Sequence, residues 1–427
     1  MSILIENLLI LTMSDGSDAE PVIAGSIGIV NDRITMVSSE AADVESFRRE
    51  NASGLRVLDG GKKLAMPGLI NTHNHAPMSL MRSAADDIPL MDWLHNHIWP
   101  AEAKLTREKI ILGAKLAMAE MLLGGTTTFV DLYWMEEAVG QAACEAGIRA
   151  VLSPAMIDFK KEDFERDFEA VFSRYAAGKC DTVSMMAGAH SPYSVSRENL
   201  LRVKELSKQY GVGINIHLSE TADEVQIIRK SHNMTPVEYI DSLGMLTANT
   251  LAVHCIHLTY SDIELLARRG TSVSHNPQSN MKLGNGIAPV SKLIAAGVNV
   301  GLGTDGPASN NDLDMIEEMR TATLLQKAVT GNPLALPAWQ ALRMATVCGA
   351  KAIGKGDSLG RIERGMTADI ILIETQKAHL YPRTNMANNL VYAAKAADVD
   401  TVIVNGRVVV EGRRLLTIDL DEILSGG

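Results

Sequence analysis

Pro67-Gly-Leu-Ile-Asn-Thr-His-Asn-His75 is a short apolar run that ends in two imidazoles two positions apart. Side chains at i and i+2 of a strand share a face, so His73 and His75 can reach one ion. A lone His-x-His is weak evidence. Here His217, His254 and Asp305 each close an apolar run of their own, and together they complete a metal site. The strand before His73 begins a series of eight β-rich runs, the rest at 126–132, 149–153, 182–189, 212–218, 250–254, 271–274 and 298–304. Amphipathic patterns lie between them, as at 107–123, 197–209 and 261–269, with Gly124, Gly147, Gly211, Gly270 and Gly297 as stop signals. Eight strand-helix units predict an α/β fold of the parallel (β/α)8 TIM-barrel type.

Both ends break that rhythm. Short strands are expected at 3–11, 25–30 and 34–37, and again at 368–373, 401–404 and 407–410, where Asn405-Gly406 between β-branched runs signals a hairpin. The expected organisation is a small β-sandwich domain built from residues 1–62 and 366–427, with the barrel, 63–365, inserted between them.

Composition narrows the function. Lys and Arg number 40 against 51 Asp and Glu, a net charge of −11 without a basic run, which argues against nucleic-acid partners. The first residues alternate and carry Glu6 rather than a basic leader, and no apolar run approaches the roughly 20 residues of a membrane span. A cytoplasmic protein is expected. The four cysteines, Cys144, Cys180, Cys255 and Cys348, lie far apart without Cys-x-x-Cys spacing and are expected to be buried free thiols.

Barrel chemistry collects at the C-terminal ends of the strands. His73 and His75 end the first strand, His190 follows the fourth, His217 and His254 end the fifth and sixth, and Asp305 ends the eighth. A single His on an apolar strand is usually a hydrogen-bonded core residue, and a strand-end Asp is usually a helix cap. Their joint placement on one rim reverses that reading. Three His and a carboxylate suit Zn²⁺ or Fe²⁺ and leave room for water, whereas Mg²⁺ or Ca²⁺ would call for more oxygens. Glu220, three residues after His217, can aim a carboxylate at that water. His275 is ambiguous; His95, His97, His232, His257 and His379 are read as structural.

These motifs, with Ser274-His-Asn-Pro-Gln-Ser-Asn280 and Gly303-Thr-Asp-Gly306, resemble the amidohydrolase superfamily. Within it, Pro77-Met-Ser-Leu-Met-Arg-Ser-Ala-Ala-Asp-Asp87, Trp93-Leu, Ile98-Trp-Pro-Ala-Glu102 and Ala308-Ser-Asn-Asn-Asp-Leu-Asp-Met315 resemble the 5-methylthioadenosine/S-adenosylhomocysteine deaminases, over nearly the whole chain. The resemblance implies one divalent metal per subunit, zinc before iron, held by His73, His75, His217 and Asp305. It implies hydrolytic deamination of an adenosine-type nucleoside at C6, with Asp305 taking a proton from the metal-activated water. His254 would orient that water, and Glu220 would deliver a proton to the purine N1. Glu102 would accept the ribose hydroxyls, His190 would donate to the purine N3 edge, and Trp93 would pack against the ribose or the 5′ group. The family habit is a homo-oligomer.

For the carboxylate of S-adenosylhomocysteine the segment after the third strand offers Lys160, Lys161 and Arg166, in an acidic stretch. Substrates with an uncharged 5′ group, methylthioadenosine, 5′-deoxyadenosine or adenosine, therefore stand level with it. Guanine deamination and triazine dechlorination remain open, since both add water to an electron-poor ring carbon. Binuclear amide hydrolysis lacks its bridging Lys, because Ala189-His190 stands at the end of the fourth strand. An inactive scaffold is the remote alternative, opposed by a complete ligand set.

Overall fold

The computed structural model describes residues 1–14, 22–88, 92–176 and 180–426. The expected limits of the terminal domain include residues 15–21 and 427, which lie outside this description. β1 (Ser2–Ile10) is antiparallel to β2 (Ile23–Val30), which pairs with β3 (Arg33–Ser38). Along its length β1 runs parallel first to β4 (Leu55–Asp59) and then to β5 (Leu64–Pro67). The chain then enters eight parallel strands: β6 (Leu69–Asn74), β7 (Thr126–Tyr133), β8 (Arg149–Met156), β9 (Val183–Ala189), β10 (Gly213–Leu218), β11 (Thr250–His254), β12 (Ser272–His275) and β13 (Val300–Leu302). Their order is sequential. The seam between β13 and β6 is drawn together by Asp305 N–H donating to His73 O at 3.0 Å and Thr72 Oγ1 donating to Leu302 O at 2.8 Å. The predicted barrel is present.

β14 (Ile370–Ile373), β15 (Val399–Val404), β16 (Arg407–Glu411) and β17 (Arg414–Leu415) return to the first sheet, β14 pairing antiparallel with β5. The terminal strands thus form one sheet of nine strands, eight along a single path with β4 branching from β1. Strand alternation lets β14 serve two cores. Ile370 and Leu372 join Ile3, Ile5 and Ile27 in a small core, while Ile371 and Ile373 face the barrel's core. At the hairpin, Asn405 and Gly406 both take left-handed φ, 51° and 71°, as a two-residue turn requires. A side chain at 406 would strike Asn31 O at 1.9 Å.

By pairing, β5 belongs to the terminal sheet, so we propose that the two units join at Gly68. A Cβ there would lie 2.1 Å from Thr127 Oγ1, which leaves glycine as the residue that lets the chain pass from sheet to barrel. Arg149 on β8 forms a buried ion pair with Asp369, with Nε 3.0 Å from Oδ2, across this junction.

The helix Arg107–Leu123 is capped by Thr106, and its stop is shared: Gly124 stays right-handed while Gly125 takes φ +89°. Two cysteines depart from expectation. Cys144 and Cys180 are joined in a disulfide, because the helix Glu136–Ala146 docks beside the entry to β9 and brings their Cα atoms to 6.2 Å. A separation of 36 residues hides that pairing from any spacing rule. Cys255 and Cys348 are free. Among the described residues no helix is long and apolar enough to cross a membrane.

Candidate metal centre and active site

The strand ends aim their side chains at one point. His217 Nε2 lies 3.2 Å from His73 Nε2, and Asp305 Oδ1 lies 3.3 Å from both His73 Nε2 and His75 Nε2. Two trios, His73-His217-His254 and His73-His75-Asp305, each gather their donor atoms within 4.8 Å. The tautomers are fixed from outside: His75 Nδ1 donates to Leu132 O at 2.6 Å and His217 Nδ1 to His190 O at 2.7 Å. Each ring therefore turns an Nε2 lone pair inward, the second-sphere arrangement of a metal-binding imidazole. Zinc–nitrogen bonds of about 2.0–2.1 Å place tetrahedral ligands ~3.3–3.4 Å apart, so the observed separations fit a borderline divalent ion. The donor set is suitable for zinc.

Electrostatics agrees. Burial pushes His73 down to about 3 and holds His75 and His217 below the ordinary range, which keeps these rings neutral. Burial alone would raise Asp305, but the hydrogen bond with His73 and the surrounding imidazoles hold its carboxyl well below the usual range. Ser219, His254, Cys255 and Asp305 all take left-handed φ at the barrel rim, between 50° and 72°. Such conformations cost about 1–3 kcal/mol each for non-glycine residues and collect where function holds them.

Glu220 follows β10, and its Oε1 stands 3.8 Å from His254 Nε2 and accepts from Asn285 Nδ2 at 2.9 Å. Burial raises its carboxyl, as suits a proton donor, with His254 pulling the other way. His254 Nδ1 donates to Asn280 Oδ1 at 2.9 Å, which turns its Nε2 toward Glu220. The structure thus places His254 against the ion site as well as against Glu220.

A pocket opens over these groups. Its wall contains the expected Trp93, Glu102 and His190, together with Leu94, Ile98, Trp99, Trp134 and Leu283. Glu102 is buried and accepts a 2.6 Å bond from the Tyr133 hydroxyl. His190 Nδ1 pairs with Ser194 Oγ at 2.7 Å, and burial lowers the ring to about 4. His275 is buried beneath the rim, outside both trios. Of the basic residues after β8, Lys160 caps the Trp134 ring at 3.5 Å while Arg166 turns outward to Asp163. Tyr133, Ser279, Asn280 and Asn285 escaped the reading of the sequence. Tyr133 had one usable signal, its place at the C-terminal end of a barrel strand, and Ser279 and Asn280 stand inside a motif already singled out.

A model of the amidohydrolase family matches residues 64–409. The chain belongs to the amidohydrolase family. A 5-methylthioadenosine/S-adenosylhomocysteine deaminase from Pelotomaculum thermopropionicum is 46% identical across 99% of this chain and 96% of its own. A zinc-bound adenosine deaminase from Xanthomonas campestris superposes with TM-score 0.93 at 34% identity, covering 99% of this chain and 96% of that one. A triazine hydrolase from Arthrobacter aurescens follows with TM-score 0.88 at 25% identity, covering 100% and 98%. As an amidohydrolase, the chain matches its deaminase relatives along its terminal sheet as well as its barrel.

Proposed function

We propose that this amidohydrolase removes the 6-amino group of adenosine-type nucleosides, giving the inosine analogue and ammonia. The observation that carries the reading is one pocket whose wall holds two buried carboxyl groups, Glu102 and Glu220, over the two trios that His73, His75, His217, His254 and Asp305 form. The deaminase relatives point the same way.

His73, His75, His217 and Asp305 would hold a divalent ion, whose role when bound is to lower the pKa of a water from 15.7 toward ~7. Asp305, with its second oxygen held by Ser279 Oγ at 2.6 Å, takes a proton during attack. His254 orients the incoming water through its Nε2. Glu220, raised by burial, gives its proton to the purine N1 while C6 is attacked, and ammonia leaves once protonated. Glu102 accepts from the ribose hydroxyls, and His190 donates to the N3 edge. Trp93 packs beside the sugar. The same reading puts one zinc in each subunit and describes a cytoplasmic homo-oligomer acting on free nucleosides, in keeping with the net charge of −11.

The test is a panel of adenosine, methylthioadenosine, 5′-deoxyadenosine, S-adenosylhomocysteine, adenine and guanine offered to zinc-loaded protein while ammonia release is followed. Turnover of the nucleosides supports the reading. Turnover of guanine or adenine alone would remove Glu102 from ribose recognition and move the assignment to a base deaminase.

A further inference from the structure

We propose that the segment from Pro277 to Gly286 is a single positioning element for all three acid-base groups, and that Asn285 within it holds Glu220 ready for proton transfer. This rests on the roles given to Glu220, His254 and Asp305 above. The helix Pro277–Lys282 follows β12 and ends in a turn through Gly284 and Gly286. From this one stretch, Ser279 Oγ donates to Asp305 Oδ2 at 2.6 Å, Asn280 Oδ1 accepts from His254 Nδ1 at 2.9 Å, and Asn285 Nδ2 donates to Glu220 Oε1 at 2.9 Å. The three groups come from the ends of β13, β11 and β10. They are aligned by a fourth element that belongs to none of those strands.

The turn itself is pinned. Asn285 N–H donates to Asn280 O at 2.9 Å, and His257 Nε2 donates to Asn285 O at 2.7 Å. Gly286 has φ +115°, and a Cβ there would meet Ile256 Cγ2 at 3.1 Å. An amide N–H can only donate, so the Asn285 contact keeps Oε1 of Glu220 an acceptor and leaves Oε2 to carry the proton. Asn285 thereby sets both the aim of the carboxyl and which oxygen delivers. It is the member to test, because Ser279 touches Asp305, itself read as a metal ligand, and Asn280 touches His254 beside the ligands, whereas Asn285 touches Glu220 alone among the catalytic groups.

The experiment compares kcat and KM of wild type, Asn285→Ala, Glu220→Gln and the double variant on a nucleoside that the wild type deaminates, with metal content and melting temperature recorded for each. Asn285→Ala is expected to lower kcat roughly 10- to 100-fold, since about 1 Å of misplacement is worth that much, with KM within about threefold and metal unchanged. The double variant is expected to be no slower than Glu220→Gln, because Asn285 then has no proton to position. Wild-type kcat in Asn285→Ala, or losses that multiply in the double variant, would overturn the proposal. Should the alanine chain fail to fold, Asn285→Ser, polar but too short to reach Glu220, carries the same expectations. A wild type inactive on every nucleoside would instead defeat the functional reading, a result distinct from either.

Discussion

The Tyr133 hydroxyl grips Glu102 Oε1 at 2.6 Å from the end of β7, so the carboxylate read as the ribose acceptor is fixed by a strand of the barrel wall. Burial pushes Glu102 up to about 8, against the downward pull of Tyr133 and Lys160. Ribose hydroxyls donate, and an ionised carboxylate accepts them more strongly than a protonated one. KM for nucleosides is therefore expected to fall as pH rises through about 8. Tyr133→Phe removes a bond that favours the ionised form and should move that limb to higher pH. Steady-state kinetics from acid to alkaline pH decides it; a flat KM, or a limb that moves down in the variant, counts against the assignment.

The same group makes stability depend on pH with a definite sign. Glu102 binds its proton up to about pH 8 in the folded chain but only up to its ordinary value of 4.5 once unfolded. Between those values the folded state holds more protons, so this contribution erodes stability as pH rises and is fully felt above about 8. Glu102→Gln should leave unfolding near pH 4.5 unchanged and stabilise the substrate-free protein above pH 8, by an amount on the order of a few kcal/mol. Urea unfolding at both ends of the range measures the difference. Equal effects at both pH values would mean that Glu102 ionises freely in the folded protein.

Chelation should show the cluster acting as one site. An ion bound only by the folded chain stabilises it by about 2.7 kcal/mol at a hundredfold excess over Kd. Zinc is thus expected to raise the melting temperature of metal-stripped wild type and to leave His217→Ala, which lacks a central donor, nearly unmoved. A full zinc-induced shift in His217→Ala would place the ion elsewhere.

The barrel and the histidines and aspartate gathered at its rim were legible in the sequence for one shared reason. Each strand is an apolar run, each run ends at the rim, and a histidine or aspartate at such an end has few places to point. Glu102 was legible only through resemblance, since it closes no strand, whereas His190 stood on the rim after the fourth strand and took only its role from the resemblance. What stayed hidden depends on contacts across the fold. The carbonyls of Leu132 and His190 that fix two imidazole tautomers carry no side-chain signature. Asn285 meets Glu220 across 65 residues, and Cys144 finds Cys180 only once a helix has docked.

Glu220→Gln isolates the proposed proton donor. Glutamine keeps the volume and can still meet Asn285 through its carbonyl oxygen, yet it has no acidic proton. One general acid-base group is worth about 10² to 10⁴ in rate, so kcat should fall by that range while metal content and melting temperature hold. Wild-type turnover in this variant would remove Glu220 from the reaction.

Arg149 and Asp369 bind the barrel to the terminal sheet, and the chemistry of a buried pair sets what their loss will do. Both side chains are nearly closed to solvent, at 11% and 5% exposure. Asp369 also accepts the Asn405 N–H at 2.7 Å beside the hairpin. Removing one partner strands the other charge in a low dielectric, which typically costs 3–5 kcal/mol, whereas replacing both with apolar groups is often close to neutral. Arg149→Met should therefore lower stability by roughly 3–5 kcal/mol in chemical denaturation. Adding Asp369→Leu should recover part of that loss, short of the whole because the Asn405 N–H then lacks its acceptor. If the double variant were less stable than Arg149→Met alone, the stranded carboxylate would not be the source of the cost, and the Asn405 hairpin contact would be the stronger tie between sheet and barrel.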